Sequence, residues 1–520
     1  MAVPTLTYSA ATAAWDLLRR DGERDGKSFR RVGTVLLALV LAGAIAVRFV
    51  LLAALDFPIG DGALFLEFVD GVGSVFPRLP HTVPYNGLTI PFAYPPLAFW
   101  IGALVAKAGI PSLDVVRVLP IVFNIGYLLL FAALLLRAGS SRLFVALALL
   151  FFSATLRSSE WLVMGGGLSR GAGSLFCLLT LLAIQGPAEP ARAGLPAART
   201  VLAGVFVAGA LLSHLEWGVL SAGAFILGRA LQTASFRAFV IECVGAGLVA
   251  LALVLPWFVF VMATHGPGPF LAARGTSGWD LARSFGVLRS QARSLLLVPL
   301  VPLGLVVLLR RRQFFWPLFA LLCLFLTPRH GLTPFVLPVA VFFARGTLAA
   351  FDLVRAVTNR AAVAAALAAL LVVAGVALQV RRDRVRVADI QPLSADVRAG
   401  MRWVADRHRG ATFLLMTPRG WWIDSTSEWF PTIAKAVSVA TVQGREWLPD
   451  NAFALSEERS MALKASTSCA ELSDRMRAYP PTDFLWAETM RECFLSPAYE
   501  PVFQNDAVSI WRVNSAAPGR

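Results

Sequence analysis

Charge is scarce in this sequence: Asp, Glu, Lys and Arg make up 15% of its 520 residues, while hydrophobic residues make up 57%. With a mean hydropathy of +0.67, that shortage excludes an ordinary soluble domain and marks a polytopic membrane protein. Acids are scarcer than bases, 32 against 47, for a formal net charge of +15. The excess does not point to nucleic acid, because the arginines stand in short clusters between apolar runs, as positive-inside charge does. Cysteine is sparse too. Cys177, Cys243 and Cys323 lie within apolar runs and read as inert thiols, while Cys469 and Cys493 lie in the polar C-terminal part. In an oxidising compartment these two are expected to pair, joining segments near 470 and 490. Internal repeats are missing, and the Ala-rich run 361–370 is the one low-complexity tract. No small-residue cleavage site follows the first apolar run, so 32–55 is expected to stay as a span rather than leave as a signal peptide.

Apolar runs of membrane length are what the chain has in quantity. They read near 32–55, 115–136, 143–156, 170–185, 200–213, 217–231, 238–262, 294–309, 314–327, 332–350 and 361–380. Several fall short of the roughly 20 residues that a ~30 Å hydrocarbon core requires, and cross only with tilt or with flanking residues. Suppose the arm 1–31 is cytoplasmic and the shorter run 96–108 does not cross. Then Arg137/Arg142, Arg192/Arg199, Arg229/Arg237, Arg310–Arg312 and Arg345/Arg355/Arg360 all share the arm's side. The expected architecture is a polytopic α-helical membrane protein with about eleven transmembrane helices over 32–380. Its first outer loop is 56–114, its N-terminus is cytoplasmic, and it sits in a bacterial cell (inner) membrane.

From about Arg381 the composition turns mixed. Helices are expected at 395–408, 454–463 and 468–478, with strands at 412–416, 437–442, 484–486 and 507–513. That alternation predicts a small extracytoplasmic α/β domain over 381–520.

The stretch 56–100 gathers Asp56, Asp61, Glu67 and Asp70 just after the first span. Leu64, Phe65, Phe68, Val69 and Val72 recur at three- and four-residue spacing, which predicts a short amphipathic helix over Ala63–Val75. A loop rich in Pro, Gly and Asn follows and ends in Tyr94-Pro95-Pro96-Leu97. The short apolar run after it is expected at the interface, with Tyr94 and Trp100 at headgroup depth. Asp61 stands between Gly60 and Gly62, which leave its carboxylate uncrowded. Two roles fit it: a general base reaching an acceptor hydroxyl, or the N-cap of the helix. Asp56, Glu67 and Asp70 read as solvated charges.

Other polar groups fall on the same side. Glu160, beside Trp161 and the run Gly165–Gly167, reads as a functional acid or an interfacial charge. His214 and Glu216 lack metal-ligand spacing and suit a polar contact to a sugar or a headgroup. Arg170, Arg274, Arg283 and Arg329, the last followed by His330, run against the positive-inside bias. Arginine there can hold a phosphate bidentately, whether a substrate's or an ordinary lipid's. Polar groups gathered on one face read as a site.

The order of these features resembles the GT-C superfamily of membrane glycosyltransferases, which includes the protein O-mannosyltransferases and the lipid A aminoarabinose transferases. That order is a first span, a lone Asp61 before an amphipathic helix, the Asn86-Gly87 turn, Tyr94-Pro95-Pro96-Leu97 and a short apolar helix. The layout extends over about 32–380 and is specific over 56–100 and, more loosely, 157–175. Asp61 matches the family's catalytic first-loop acid, and Glu160 looks like the second-loop acid that many members carry. The resemblance implies a polyprenyl-phosphate-linked sugar as donor and a glycan, lipid or protein as acceptor. It also implies a single displacement that inverts the anomeric centre. Arg329 and Arg170, with His330 and Arg274, would meet the donor phosphate; Tyr94, His214 and Glu216 would line the substrate. The sequence departs from those relatives at Ala93-Tyr94-Pro95-Pro96, where they tend to carry Lys-Pro-Pro or Glu-Lys-Pro, so a lysine contact is missing. A paired Asp-X-Asp is also missing, so a divalent metal cofactor is possible but not indicated.

The expectation is therefore a membrane glycosyltransferase. A transporter or flippase of a lipid-linked saccharide is the alternative, and would want charges buried mid-span and internal repeats. Here the acids sit at span ends. A membrane-anchored sensor would not need eleven spans.

Overall fold

The protein is described by a computed structural model over residues 27–185, 198–233, 235–276, 286, 298–327, 332–387 and 391–514. Most of the N-terminal arm lies outside the described residues, as do Arg192, Arg283, Arg329 and His330.

A helix stands at each of the eleven expected spans. Numbered with the shorter helices between them, the first half comprises α1 (Lys27–Ala54), α2 (Ala63–Val75), α3 (Leu97–Lys107), α4 (Ser112–Arg137), α5 (Arg142–Ala154), α6 (Glu160–Val163) and α7 (Gly167–Ile184). After them come α8 (Ala198–Ser213), α9 (Leu215–Gln232), α10 (Phe236–His265), α11 (Gly268–Thr276), α12 (Leu300–Arg310), α13 (Phe315–Leu326), α14 (Leu332–Thr358) and α15 (Ala361–Val387). Among the described residues, six are long and apolar enough to cross a membrane unaided: α1, α4, α7, α10, α14 and α15. This is an integral membrane protein.

Burial ranks the helices. In α14 89% of the apolar window is buried, so it runs through the middle of the bundle; in α10 the share is 11%, so its apolar surface is left for lipid. Helices α12 and α14 approach closely because glycines face each other. A Cβ on Gly304 would meet Phe342 O at 1.7 Å, and one on Gly346 would meet Leu300 O at 1.8 Å. Small residues at such a crossing let two backbones pack at short range. Two arginines among the spans are partnered: Arg48 donates from Nε to Asn124 Oδ1 at 2.6 Å, and Arg229 donates from Nη2 to Glu242 Oε1 at 2.7 Å.

Beyond α1 the expected amphipathic helix forms as α2, and its Leu64, Phe68, Val69 and Val72 are buried. The loop expected after it is instead a β-hairpin, β1 (Thr82–Tyr85) pairing antiparallel with β2 (Leu88–Pro91) across Asn86-Gly87. Both turn residues have positive φ, as a two-residue hairpin turn requires. Tyr94 turns inward, half-buried, with its ring edge-on to Phe65 at 5.2 Å and Phe99 at 5.5 Å.

The C-terminal region holds α16 (Ala395–Arg407), β3 (Thr412–Met416), α17 (Ser425–Ala434), β4 (Val437–Ser438), α18 (Ala452–Lys464) and α19 (Cys469–Met476). It ends in β5 (Phe484–Ala487), β6 (Tyr499–Gln504) and β7 (Ser509–Val513). The sheet runs β4-β3-β5-β7-β6, with β3 parallel to β4 and β5, and β7 antiparallel to β5 and β6. The expected strand at 437–442 shrinks to two residues, and β6, interrupted by Pro501 and a bulge at an edge, was not expected. Cys469 and Cys493 form the expected disulfide. One apolar core joins this region to the first loop: Phe57, Phe68 and Phe92 pack in the same cluster as Phe413, Trp429 and Trp486.

Candidate active site

The site begins with glycine. Asp61 follows Gly60 (φ +61°) and precedes Gly62 (φ +135°), conformations that side chains rarely adopt. Gly62, not Asp61, is the N-cap of α2, and no side chain caps that helix. The capping role is therefore absent, and the Asp61 carboxylate reaches the second outer segment instead. Its Oδ1 accepts from Gly166 N at 2.8 Å, and its Oδ2 pairs with Arg170 Nη2 at 3.1 Å. Gly166 must be small there, since a Cβ would meet Asp61 Oδ2 at 2.4 Å. Arg170 is itself fixed: Nη1 donates to Trp161 O at 3.3 Å, and the guanidinium lies 5.2 Å from the Trp161 ring centroid. The Asp61 side chain stays 20% exposed, so it is held but reachable.

The structure brings several other predicted residues to this place. Tyr94 Oη lies 3.3 Å from Ser169 Oγ, next to Arg170 on α7. The Tyr94 ring stands edge-on to His214 at 6.5 Å and to Trp447 at 5.4 Å. His214 is buried at the junction of α8 and α9, and Glu216 is buried in the first turn of α9. Glu160 is buried at the first position of α6, next to Trp161. Arg274 is exposed near the end of α11, which packs on the turn Arg445–Trp447. Asp56 lies apart, 70% exposed and paired with Arg398 of α16. Glu67 is not simply solvated: it is partly buried, and burial raises its carboxyl above the usual range. Asp70 accepts from Ser112 Oγ at 2.5 Å.

Sequence reasoning missed one group here. Glu428, on α17, is buried, and its Oε1 accepts from Gly62 N at 2.8 Å. The next residue, Trp429, donates from Nε1 to Gly60 O at 2.9 Å. Burial, and then the neighbouring Asp61 charge, push the Glu428 carboxyl up to about 8. The signal available was an acid inside an otherwise uncharged run, Ser425-Thr426-Ser427-Glu428-Trp429-Phe430. Among the described residues no three His, Cys, Asp or Glu side chains converge as a metal site, and Asp61 is partnered by a guanidinium.

No family model matches the chain, and no curated protein matches it. Solved structures do. The oligosaccharyltransferase AglB of Archaeoglobus fulgidus, in complex with an inhibitory peptide and a dolichol-phosphate, superposes with a TM-score of 0.53 at 11% identity, covering 88% of this chain and 70% of that one. Apo ArnT of Cupriavidus metallidurans gives 0.52 at 15% identity, covering 92% of this chain and 98% of its own. The Archaeoglobus enzyme tethered to an acceptor peptide with the NVT sequon gives 0.50 at 11% identity, covering 87% and 69%. At such identities the likeness is one of fold: this chain shares its fold with the AglB and ArnT structures.

Proposed function

We propose that the protein is a glycosyltransferase that moves a sugar from a polyprenyl-phosphate donor to an acceptor hydroxyl, with Asp61 as general base. One observation carries this reading: an accessible carboxylate on a glycine turn, with each oxygen engaged by one fixed donor. A carboxylate oxygen has two acceptor sites, so each retains one for an incoming hydroxyl. The acceptor proton passes to Asp61 as its oxygen attacks the anomeric carbon. The bond to the donor phosphate breaks, its electron pair leaves with polyprenyl phosphate, and the anomeric centre inverts. Arg170 holds the base in place. The candidates to balance the charge of the leaving phosphate are Arg274 together with Arg329 and His330, which lie outside the described residues. Tyr94, His214 and Glu216 would line the substrate, and Glu160 would serve as the second-loop acid. We place the site on the outer face of a bacterial inner membrane, with the C-terminal region beside it.

A lipid phosphate bound in a protein of the same fold supports this reading: the AglB structure contains a dolichol-phosphate. Purified protein in nanodiscs should release polyprenyl phosphate from a radiolabelled polyprenyl-phosphate sugar when an envelope extract supplies acceptors. A strain without the protein should also lack a glycan mass that its parent's envelope contains. Unchanged envelope glycans together with no labelled transfer would overturn the proposal.

A further inference from the structure

Two consecutive residues of α17 grip both glycines that flank Asp61. Glu428 Oε1 takes the Gly62 amide at 2.8 Å, and Trp429 Nε1 donates to the Gly60 carbonyl at 2.9 Å. We infer that Glu428 is a positioning residue for Asp61: its carboxyl fixes the Gly62 amide and so sets the angle at which Asp61 meets Gly166 and Arg170. The inference rests on the reading of Asp61 as the base.

Three observations support it. Asp is a favoured N-cap residue, and Asp61 stands one residue before the cap position of α2 without capping it. With Glu428 on the Gly62 amide, both Asp61 oxygens are left for Gly166 and Arg170. Next, a turn with Gly62 at φ +135° is not held by side-chain sterics and has to be held by hydrogen bonds. Last, the clamp is itself fixed. Tyr85 Oη donates to Glu428 O at 2.7 Å, and Asp424, the N-cap of α17, accepts from Ser427 N at 3.0 Å and is paired with Lys464. A constellation needs such a rigid support to stay productive. The charged groups acting on Glu428 are Asp61, Glu446 and Arg170.

The test uses the full-length protein in nanodiscs, with Glu428→Gln and Glu428→Leu. Gln keeps an acceptor oxygen at the same reach; Leu removes it. Hydrogen exchange in peptides spanning 58–68 should rise about tenfold in the Leu variant, the worth of one lost hydrogen bond. It should stay near wild type in the Gln variant, with β3 and β5 protected alike in all three. In cells without the native gene, the Leu variant should leave less than about a tenth of the envelope product, and the Gln variant should restore it to about a third or more. If the Leu variant does not fold, Glu428→Asp takes its place; one methylene shorter, it should show the same raised exchange. Wild-type exchange in the Leu or Asp variant overturns the inference, and so does equal loss of product in the Gln and Leu variants. If Asp61→Asn itself leaves the product at wild-type level, the reading of Asp61 fails, and exchange alone then decides whether Glu428 is the clamp.

Discussion

Trp429 donates a hydrogen bond from its indole to the Gly60 carbonyl at 2.9 Å, across 369 residues of chain. With the Glu428 contact to Gly62, it makes the turn around Asp61 a joint product of the first loop and the C-terminal region. The second segment supplies the rest, through Gly166 and Arg170. The C-terminal region therefore helps build the site, and the core it shares with Phe57 and Phe68 says the same of its packing.

Asp61→Asn should lower transfer by about 10²–10⁴-fold, the usual worth of a positioned base. Asn keeps an oxygen for Gly166 but cannot take the acceptor's proton as a carboxylate does. Asp56→Asn is the control, because Asp56 is largely exposed and its pair with Arg398 is of a kind that contributes little. Transfer rates and detergent melting of both variants decide the matter: an active Asp61→Asn enzyme with an inactive Asp56→Asn would mean the base is the other acid.

Gly166→Ala probes the same carboxylate from its partner's side. The backbone at Gly166, φ −66° and ψ −6°, suits alanine, so the only obstacle is space. The added methyl would meet Asp61 Oδ2 at 2.4 Å and Cγ at 2.7 Å. Asp61 must then move, and a displacement near 1 Å can cost about 10²-fold in rate. Expression and melting should stay close to wild type while transfer falls. Full activity in this variant would show that the carboxylate's place against Gly166 does not matter.

The membrane part was legible because its helices are long and apolar and its arginines fall between them. All eleven expected spans carry helices. Helix α2 was legible for a second reason: Leu64, Phe68 and Val72 line its buried face, while Glu67 and Asp70 stay partly or fully open. Helix α17 was not. Its residues Ser425 to Pro431 are all buried, so it has no polar face and no period to read, and Pro431 argues against a helix. Glu428 was lost with it. The hairpin at Asn86-Gly87 carried its signal in two residues, but Pro84 and Pro91 inside the short strands masked the rest. The pairing of Asp61 with Gly166 and Arg170 depends on contacts across more than 100 residues, which local patterns do not contain.

The bridge between Cys469 and Cys493 closes a loop across 24 positions of sequence. Constraining an unfolded chain by a loop of that length contributes about 3 kcal/mol in the chain-entropy account. A Cys469→Ser/Cys493→Ser double variant should melt several degrees lower and keep its transfer activity per folded molecule, since neither cysteine belongs to the site. In the folded wild type, both thiols should resist alkylation until a reductant is added. Alkylation of both without reduction would show that the bridge does not form.

Stability should fall as pH rises from about 5 to about 8, and Glu488 offers the cleanest test because it lies away from Asp61's turn. It follows β5, and burial pushes its carboxyl up to about 7 from an ordinary value near 4.5, with Asp424 adding to the rise. Hydrogen bonds from Thr426 and Trp486 and the charge of Lys464 oppose the shift without cancelling it. The sign follows from proton counting. Between about 4.5 and 7 the unfolded chain has released this proton while the folded protein still holds it. The folded state then binds more protons, so each rise in pH favours unfolding, until the folded carboxyl ionises as well. Glu428, raised to about 8, acts in the same direction and extends the window. Asp56, whose carboxyl the Arg398 hydrogen bond holds low, has the opposite sign but acts below this range. His408, held low by burial, also has the opposite sign and offsets part of the fall below about 6.5. The melting temperature in detergent should therefore drop between pH 5 and pH 8. Glu488→Gln, uncharged and of the same shape, should recover about 3 °C or more of that drop at pH 8. A Gln variant with the wild-type slope would show that Glu488 is not held neutral.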